Sequence, residues 1–160
     1  MVDVDQKMRK RAIGGKIKWD KNVDRRSAVR LKKIIKKYGW PTKSSVGKKA
    51  SHGAWLLAQH ADHDLKFQKK VLKLMSSISV KNINEVSLAN IAYLTDRILV
   101  HENKPQFFGT QFKKNKKGVF EPFKVRNGKN VDKRRKKYGL PTLKENKSRI
   151  NKEWNKLTRE

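Results

Sequence analysis

Residues 86–113 read VSLANIAYLTDRILVHENKPQFFGTQFK, and the hydrophobic period changes partway along them. Leu88, Ile91, Leu94 and Ile98 recur at intervals of three and four, the spacing of one helix face, and predict a helix from about Val86 to Val100. From Gln106 to Lys113, and again from Val119 to Val125, the residues read as strands around the turn Asn115-Lys116-Lys117-Gly118. A helix feeding a hairpin makes the fold α+β.

The sequence upstream makes it mainly helical. Asp24 is placed to cap a helix over 25–38, with Val29, Leu31, Ile34 and Ile35 facing inward and Lys32, Lys33, Lys36 and Lys37 outward. Tyr38-Gly39-Trp40-Pro41 stops it, since Gly suits the position after a helix and Pro prevents continuation. Ser45 to His60 reads as a second helix with Ala50, Ala54, Leu57 and Ala58 on one side. A third, from Asp64 to Ser77, carries Leu65, Val71, Leu72, Leu74 and Met75, with Asp62 or Asp64 as its cap. Downstream of the hairpin, Asp132–Tyr138 is a short basic helix and Lys144–Thr158 a polar one.

The expected architecture is a helical core with one β-hairpin and basic terminal segments. A basic N-terminal segment, 1–22, contains a short helix near 4–12 and a break at Gly14-Gly15. One globular domain is expected over 23–143 and a polar helix over 144–160. The stop signal of the first helix recurs: Lys36-Lys37-Tyr38-Gly39-Trp40-Pro41-Thr42 returns as Lys136-Lys137-Tyr138-Gly139-Leu140-Pro141-Thr142. Two basic helices ended by the same capping chemistry account for this; paired lysines offering a phosphate contact in each arm are the functional alternative.

Charge speaks to partners rather than to fold. Forty-two Lys and Arg against 14 Asp and Glu leave the 160-residue chain at +28. The excess is +13 in residues 1–50, +2 in 51–100 and +13 in 101–160, so an apolar middle lies between two cationic arms. Lys outnumbers Arg 31 to 11, which a coding bias would favour, but such a bias does not suppress Asp and Glu. Nucleic acid or another polyanion is the expected partner. There is no cysteine, which excludes disulfides and thiolate chemistry. No secretory signal or membrane-length apolar run is read, so a cytoplasmic protein is expected.

Three clusters carry candidate chemistry. In Gln59-His60-Ala61-Asp62-His63-Asp64, a continuing helix would set His60 and Asp64 on one face, with His60 as a general base. The structural alternative makes Asp62 a cap and His60 a core residue. A zinc site from His60, His63 and Asp64 lacks a further ligand, so no metal or cofactor is expected. Thr95-Asp96-Arg97 places two charges in the most apolar helix, either paired there or with Arg97 clamping an anion. Phe107-Phe108-Gly109-Thr110-Gln111-Phe112 combines aromatics with neutral hydrogen-bonding groups, as core or as a stacking platform. A phosphate loop is excluded at Gly47-Lys48, where the upstream glycine is missing and Lys49 replaces Ser or Thr.

Taken together, Tyr38-Gly39-Trp40-Pro41, Val46-Gly47, Gln59-His60-Ala61-Asp62, Leu94-Thr95-Asp96-Arg97, Gly109-Thr110-Gln111-Phe112 and Val131-Asp132-Lys133-Arg134-Arg135 to Gly139-Leu140 resemble a bacterial domain-of-unknown-function family. Asp5-Gln6 with Arg9 is similar to its opening motif, so the likeness covers about 3–143. Relatives there carry Tyr where this chain has Phe108. The resemblance implies that Gln59, His60, Asp96, Arg97, Thr110 and Gln111 converge in one polar pocket. The expectation is then an enzyme-like domain, a hydrolase in leaning, acting on a phosphate-bearing nucleotide or RNA. His60 and Asp96 would be catalytic, with Gln59, Arg97, Thr110 and Gln111 binding substrate. The alternative is a non-catalytic, salt-sensitive nucleic-acid-binding protein using Lys32, Lys33, Lys36, Lys37, Arg134, Arg135, Lys136 and Lys137.

Overall fold

The computed structural model describes residues 20–157, which divide into two compact units, one ending at Ser87 and the next beginning at Leu88. The division falls inside the stretch expected to be one domain. Among the described residues there are six α-helices and one two-stranded antiparallel hairpin, a mainly helical α+β architecture. The helix expected at 4–12 and the motif at Asp5, Gln6 and Arg9 lie outside the described residues. Among those described, no helix is long and apolar enough to cross a membrane.

The first unit holds α1 (Lys21–Tyr38), α2 (Lys43–Gln59), α3 (Leu65–Lys81) and a 3-10 turn at Ile83–Glu85. The cap of α1 is Asp20, whose carboxylate accepts the Asn22 N–H at 2.8 Å, and not Asp24, which sits in the first turn. There its charge still complements the helix dipole. Ser27, Ala28, Leu31 and Ile35 form the buried stripe of α1. Val29, expected to face inward, is 54 % exposed, because two residues before Leu31 is about 200° around the helix.

Gly39, at φ 77°, ends α1 with its N–H on the Ile35 carbonyl at 3.0 Å. A positive φ costs glycine little and other residues more. Trp40 then buries its side chain, and Thr42 starts α2 by exchanging hydrogen bonds with Ser45. Gly47 breaks the helical geometry early in α2, at φ 79° and ψ 161°. The break detaches the first turn from the face that follows, so Ala50, expected inside, is exposed. Ser51, Gly53, Ala54, Trp55, Leu57 and Ala58 are the buried residues. α3 is capped by Asp64, which accepts the Phe67 N–H at 2.9 Å, and buries Phe67, Gln68, Val71 and Met75.

The second unit runs α4 (Leu88–His101), β1 (Phe112–Lys114), β2 (Phe120–Pro122), a 3-10 turn, α5 (Val131–Lys137) and α6 (Leu143–Leu157). α4 buries Ile91, Leu94 and Ile98 as its period predicts, and also Asn90, Ala92 and Asp96. The hairpin pairs Phe112 with Pro122, Lys113 with Glu121 and Lys114 with Phe120. It is shorter than the sequence suggests. Residues 106–111 form a loop, because Gly109 takes φ 70° and neighbouring amides turn towards one carboxylate.

α6 lies along β2, where Asn151 accepts the Phe120 N–H at 2.8 Å and donates to its carbonyl at 3.0 Å. The joint from α5 to α6 repeats that from α1 to α2. Gly139 has φ 67°, Leu140 is buried, and Thr142 exchanges hydrogen bonds with Glu145 in a capping box. The two copies of the heptapeptide therefore end one helix, plug its core and begin the next. Their tyrosines differ: Tyr38 is 72 % exposed, whereas Tyr138 packs on Phe108 with ring centres 4.5 Å apart.

Candidate nucleic-acid interface

A buried carboxylate organises the second unit. Asp96, with no exposed surface, accepts the N–H groups of Phe107 at 2.7 Å, Phe108 at 3.0 Å and Thr110 at 2.8 Å. The Thr110 hydroxyl adds a bond at 2.9 Å. Charge-assisted hydrogen bonds are strong, and three backbone amides with one hydroxyl compensate the burial of a charge. Gln106, equally buried, closes the same loop: its Oε1 accepts the Gln111 N–H at 2.6 Å, and its Nε2 donates to the carbonyls of Gln111 and Phe123. Arg97 Nη1 reaches Gln111 Oε1 at 3.5 Å, and Gln111 Nε2 donates to Thr110 Oγ1 at 3.1 Å. Asp96, Arg97, Thr110 and Gln111 are thus gathered as one constellation. Each of Asp96, Thr110 and Gln111 is engaged in holding the 106–111 loop.

Two arginines pin that loop from α5. Arg135 is fully buried; its Nε donates to the Pro141 carbonyl at 2.6 Å and its Nη1 to that of Phe108 at 2.7 Å. Burial pulls its pKa below the ordinary arginine value, against the opposing pull of Tyr93, Asp132 and Asp96. The expectation that Arg135 meets nucleic acid is therefore corrected. Its guanidinium is enclosed, with Nε and Nη1 donating to backbone carbonyls. Arg134 lies over the Phe107 ring, 4.7 Å from its centre, and donates to the carbonyls of Phe107, Arg126 and Asn127.

The result of this bracing is a concave site. Phe107, Arg126, Asn127, Asn130, Lys133, Arg134 and Lys137 line a cavity of about 480 Å³. Four of the seven are cations and none is an acid. Among the described residues, no carboxylate pairs with Arg126, Lys133 or Lys137. Like charges gathered without a counter-ion repel, and an anion relieves that repulsion. Lys136, on the same helix, is exposed but does not line the cavity.

A family model matches residues 16–156. The chain belongs to DUF6624, a family of unknown function. No curated protein and no solved structure matches it.

In this DUF6624 chain the motifs fall on parts with physical work. Tyr38-Gly39-Trp40-Pro41 is the stop and plug after α1, and Leu94-Thr95-Asp96-Arg97 with Gly109-Thr110-Gln111-Phe112 forms the braced loop. In Gln59-His60-Ala61-Asp62, Gln59 is the last residue of α2 and the other three form the turn that follows it in the first unit. Gln68 holds it, donating to the Gln59 carbonyl at 2.9 Å and to Asp62 Oδ1 at 3.2 Å. Because the helix stops there, His60 and Asp64 are not neighbours on one helix face. Asp64 instead caps α3 and pairs with Lys32. The hydrogen bond from Lys32, then that from the Phe67 amide, hold its pKa below the usual carboxylate value. His60 and Gln59 are half-buried and His63 is exposed.

The remaining expected cations lie on α1. Lys32 and Lys36 line a cavity of about 460 Å³ with Lys66 and Lys70 of α3, over a floor of Ile35 and Phe67, with Asp64 beside them. Lys33 lines another, of about 420 Å³, with Arg25, Arg26, Val29 and Arg30. Lys37 rests on the Tyr38 ring, 4.9 Å from its centre.

Sequence reasoning missed Gln68, Gln106 and the buried role of Arg135. For Gln68 a signal existed: it stands beside Phe67 on the stripe continued by Val71 and Met75.

Proposed function

We propose that this protein binds a phosphate-bearing ligand, a nucleic acid, through the cavity lined by Arg126, Lys133, Arg134 and Lys137, without transforming it. The carrying observation is four cations around one concavity with no acid among its lining residues. In the first unit Lys32 and Lys36 of α1, with Lys66 and Lys70, supply a second cationic surface of a kind that suits a polyanion. Binding is preferred to turnover because Asp96 is committed to the loop's amides and the Thr110 hydroxyl to Asp96, which leaves them a supporting part.

Fluorescence anisotropy of a labelled oligonucleotide over a salt series tests this. Each phosphate neutralised contributes a slope of about −0.9 for duplex and about −0.7 for single strand in the logarithmic salt plot. Lys133→Ala with Lys137→Ala should weaken binding and flatten that slope by nearly two such steps. Affinity indifferent to salt overturns the proposal.

A hydrolytic reading rests on His60. It is favoured by the Gln59 Oε1, a buried acceptor without a hydrogen-bond partner among the described residues, next to that histidine at the end of α2, where Gln68 holds the Gln59 carbonyl. Water activated by His60 would be the nucleophile. Nucleotide- and RNA-hydrolysis assays on wild type and His60→Ala decide between the readings. Turnover lost in the variant with polyanion affinity retained would favour hydrolysis.

A further inference from the structure

We propose that the cavity of the second unit takes an unstacked base against Phe107, so that the preferred ligand is single-stranded nucleic acid rather than duplex. The inference rests on the phosphate-binding reading above and adds a requirement to it. Cations alone suffice for a duplex, whose bases are stacked away and whose backbone is met from outside. This cavity has more than cations.

Phe107 is 39 % exposed, unlike its neighbour Phe108 at 2 %, and it forms the aromatic wall of the site. Its position is fixed from both ends of the residue. The Phe107 N–H is held by Asp96 at 2.7 Å, and its carbonyl accepts the Arg134 Nε–H at 2.8 Å. The same guanidinium lies against the ring and holds the carbonyls of Arg126 and Asn127, two further lining residues. Asn127 adopts φ 46°, a left-handed conformation uncommon for a residue other than glycine. The amides of Asn127 and Asn130 offer donors and acceptors to a base edge, and Lys133 and Lys137 stand ready for the flanking phosphates. An aromatic wall, amides and cations within one concavity are the parts used to hold splayed bases. A volume of about 480 Å³ lies within the range of sites for one small ligand.

The test measures affinity of the full chain for three probes of equal length: single-stranded RNA, single-stranded DNA and duplex DNA. A fluorescent base analogue in the single strands reports stacking. Phe107→Ala should lower single-strand affinity roughly ten-fold more than duplex affinity, the scale of one lost base stack. Phe107→Trp should restore it, and the analogue's quenching on binding should vanish only with Ala. The slope of affinity against salt should persist in both variants. Equal losses on single strand and duplex, or no loss, overturn the base site while leaving salt-sensitive binding in place. Absence of salt-sensitive binding to any probe by wild type overturns the phosphate reading itself.

Discussion

The Asp96 carboxylate takes both the amide and the hydroxyl of Thr110, at 2.8 and 2.9 Å, across 14 residues of sequence. This pairing ties α4 to a loop with almost no regular structure of its own. The loop's shape, and with it the placement of Phe107, depends on one buried charge.

Replacing that charge should be costly. Asp96→Ala leaves three amides without this acceptor, two of them buried, and should destabilise the chain by about 3–5 kcal/mol. Asp96→Asn keeps the volume but turns a donor towards the Phe108 and Thr110 amides. It should cost about 2–3 kcal/mol in urea unfolding. Loss under 1 kcal/mol for both would mean that water replaces the carboxylate.

Arg135 provides a contrast within one basic run. Arg135→Lys cannot reach the Pro141 and Phe108 carbonyls in the same planar geometry, and should lower stability by about 2–3 kcal/mol. Lys136→Ala, on the exposed side, should stay within about 0.5 kcal/mol of wild type. Thermal unfolding of the two variants separates structural from surface cations.

Gly109→Ala tests close packing. Its φ of 70° is strained for alanine, and the new Cβ would lie 2.9 Å from Leu143 Cδ1 and 3.2 Å from Val125 Cγ2. Both effects add, so about 2–4 kcal/mol is expected. Gly39→Ala has the strain without a neighbour within 4 Å and should cost about 1 kcal/mol.

The acid limb of stability should carry a contribution from Asp64. Its pKa is held below 3.8 chiefly by the Lys32 hydrogen bond, so its stabilisation is present above the unfolded value. It is lost as pH falls through the folded value. Asp64→Asn should therefore be less stable than wild type at neutral pH, and the two should converge in strong acid. A constant difference down to pH 2 would assign Asp64 no titrating part.

The readable portions of the sequence are those set by local chemistry. The period of Leu88, Ile91, Leu94 and Ile98, the glycine stops and the Asn115 turn depend on neighbours in the chain, and they appear in the structure where expected. Val29 and Ala50 misled because apolar character does not say which side of a helix is covered. Gly47 shows why: one non-helical residue resets the face of everything after it. Asp96, Thr110 and Gln111 stood out as unusual, yet their engagement with backbone amides was invisible, since backbone donors look the same in every sequence. Arg135 was hidden for a related reason. Five consecutive residues in Lys133–Lys137 are all basic, and only three-dimensional packing decides which one turns inward.

That inward turn alters the electrical pattern a ligand meets. With Arg135 enclosed and Arg134 engaged with carbonyls, the five-residue run offers the cavity two exposed ammonium groups, Lys133 and Lys137. They are separated by four residues, or about 6 Å along the helix axis. Such a pair spans two successive backbone groups more readily than two oxygens of a single one. What the sequence spells as a block of charge is delivered as a ruler with two marks.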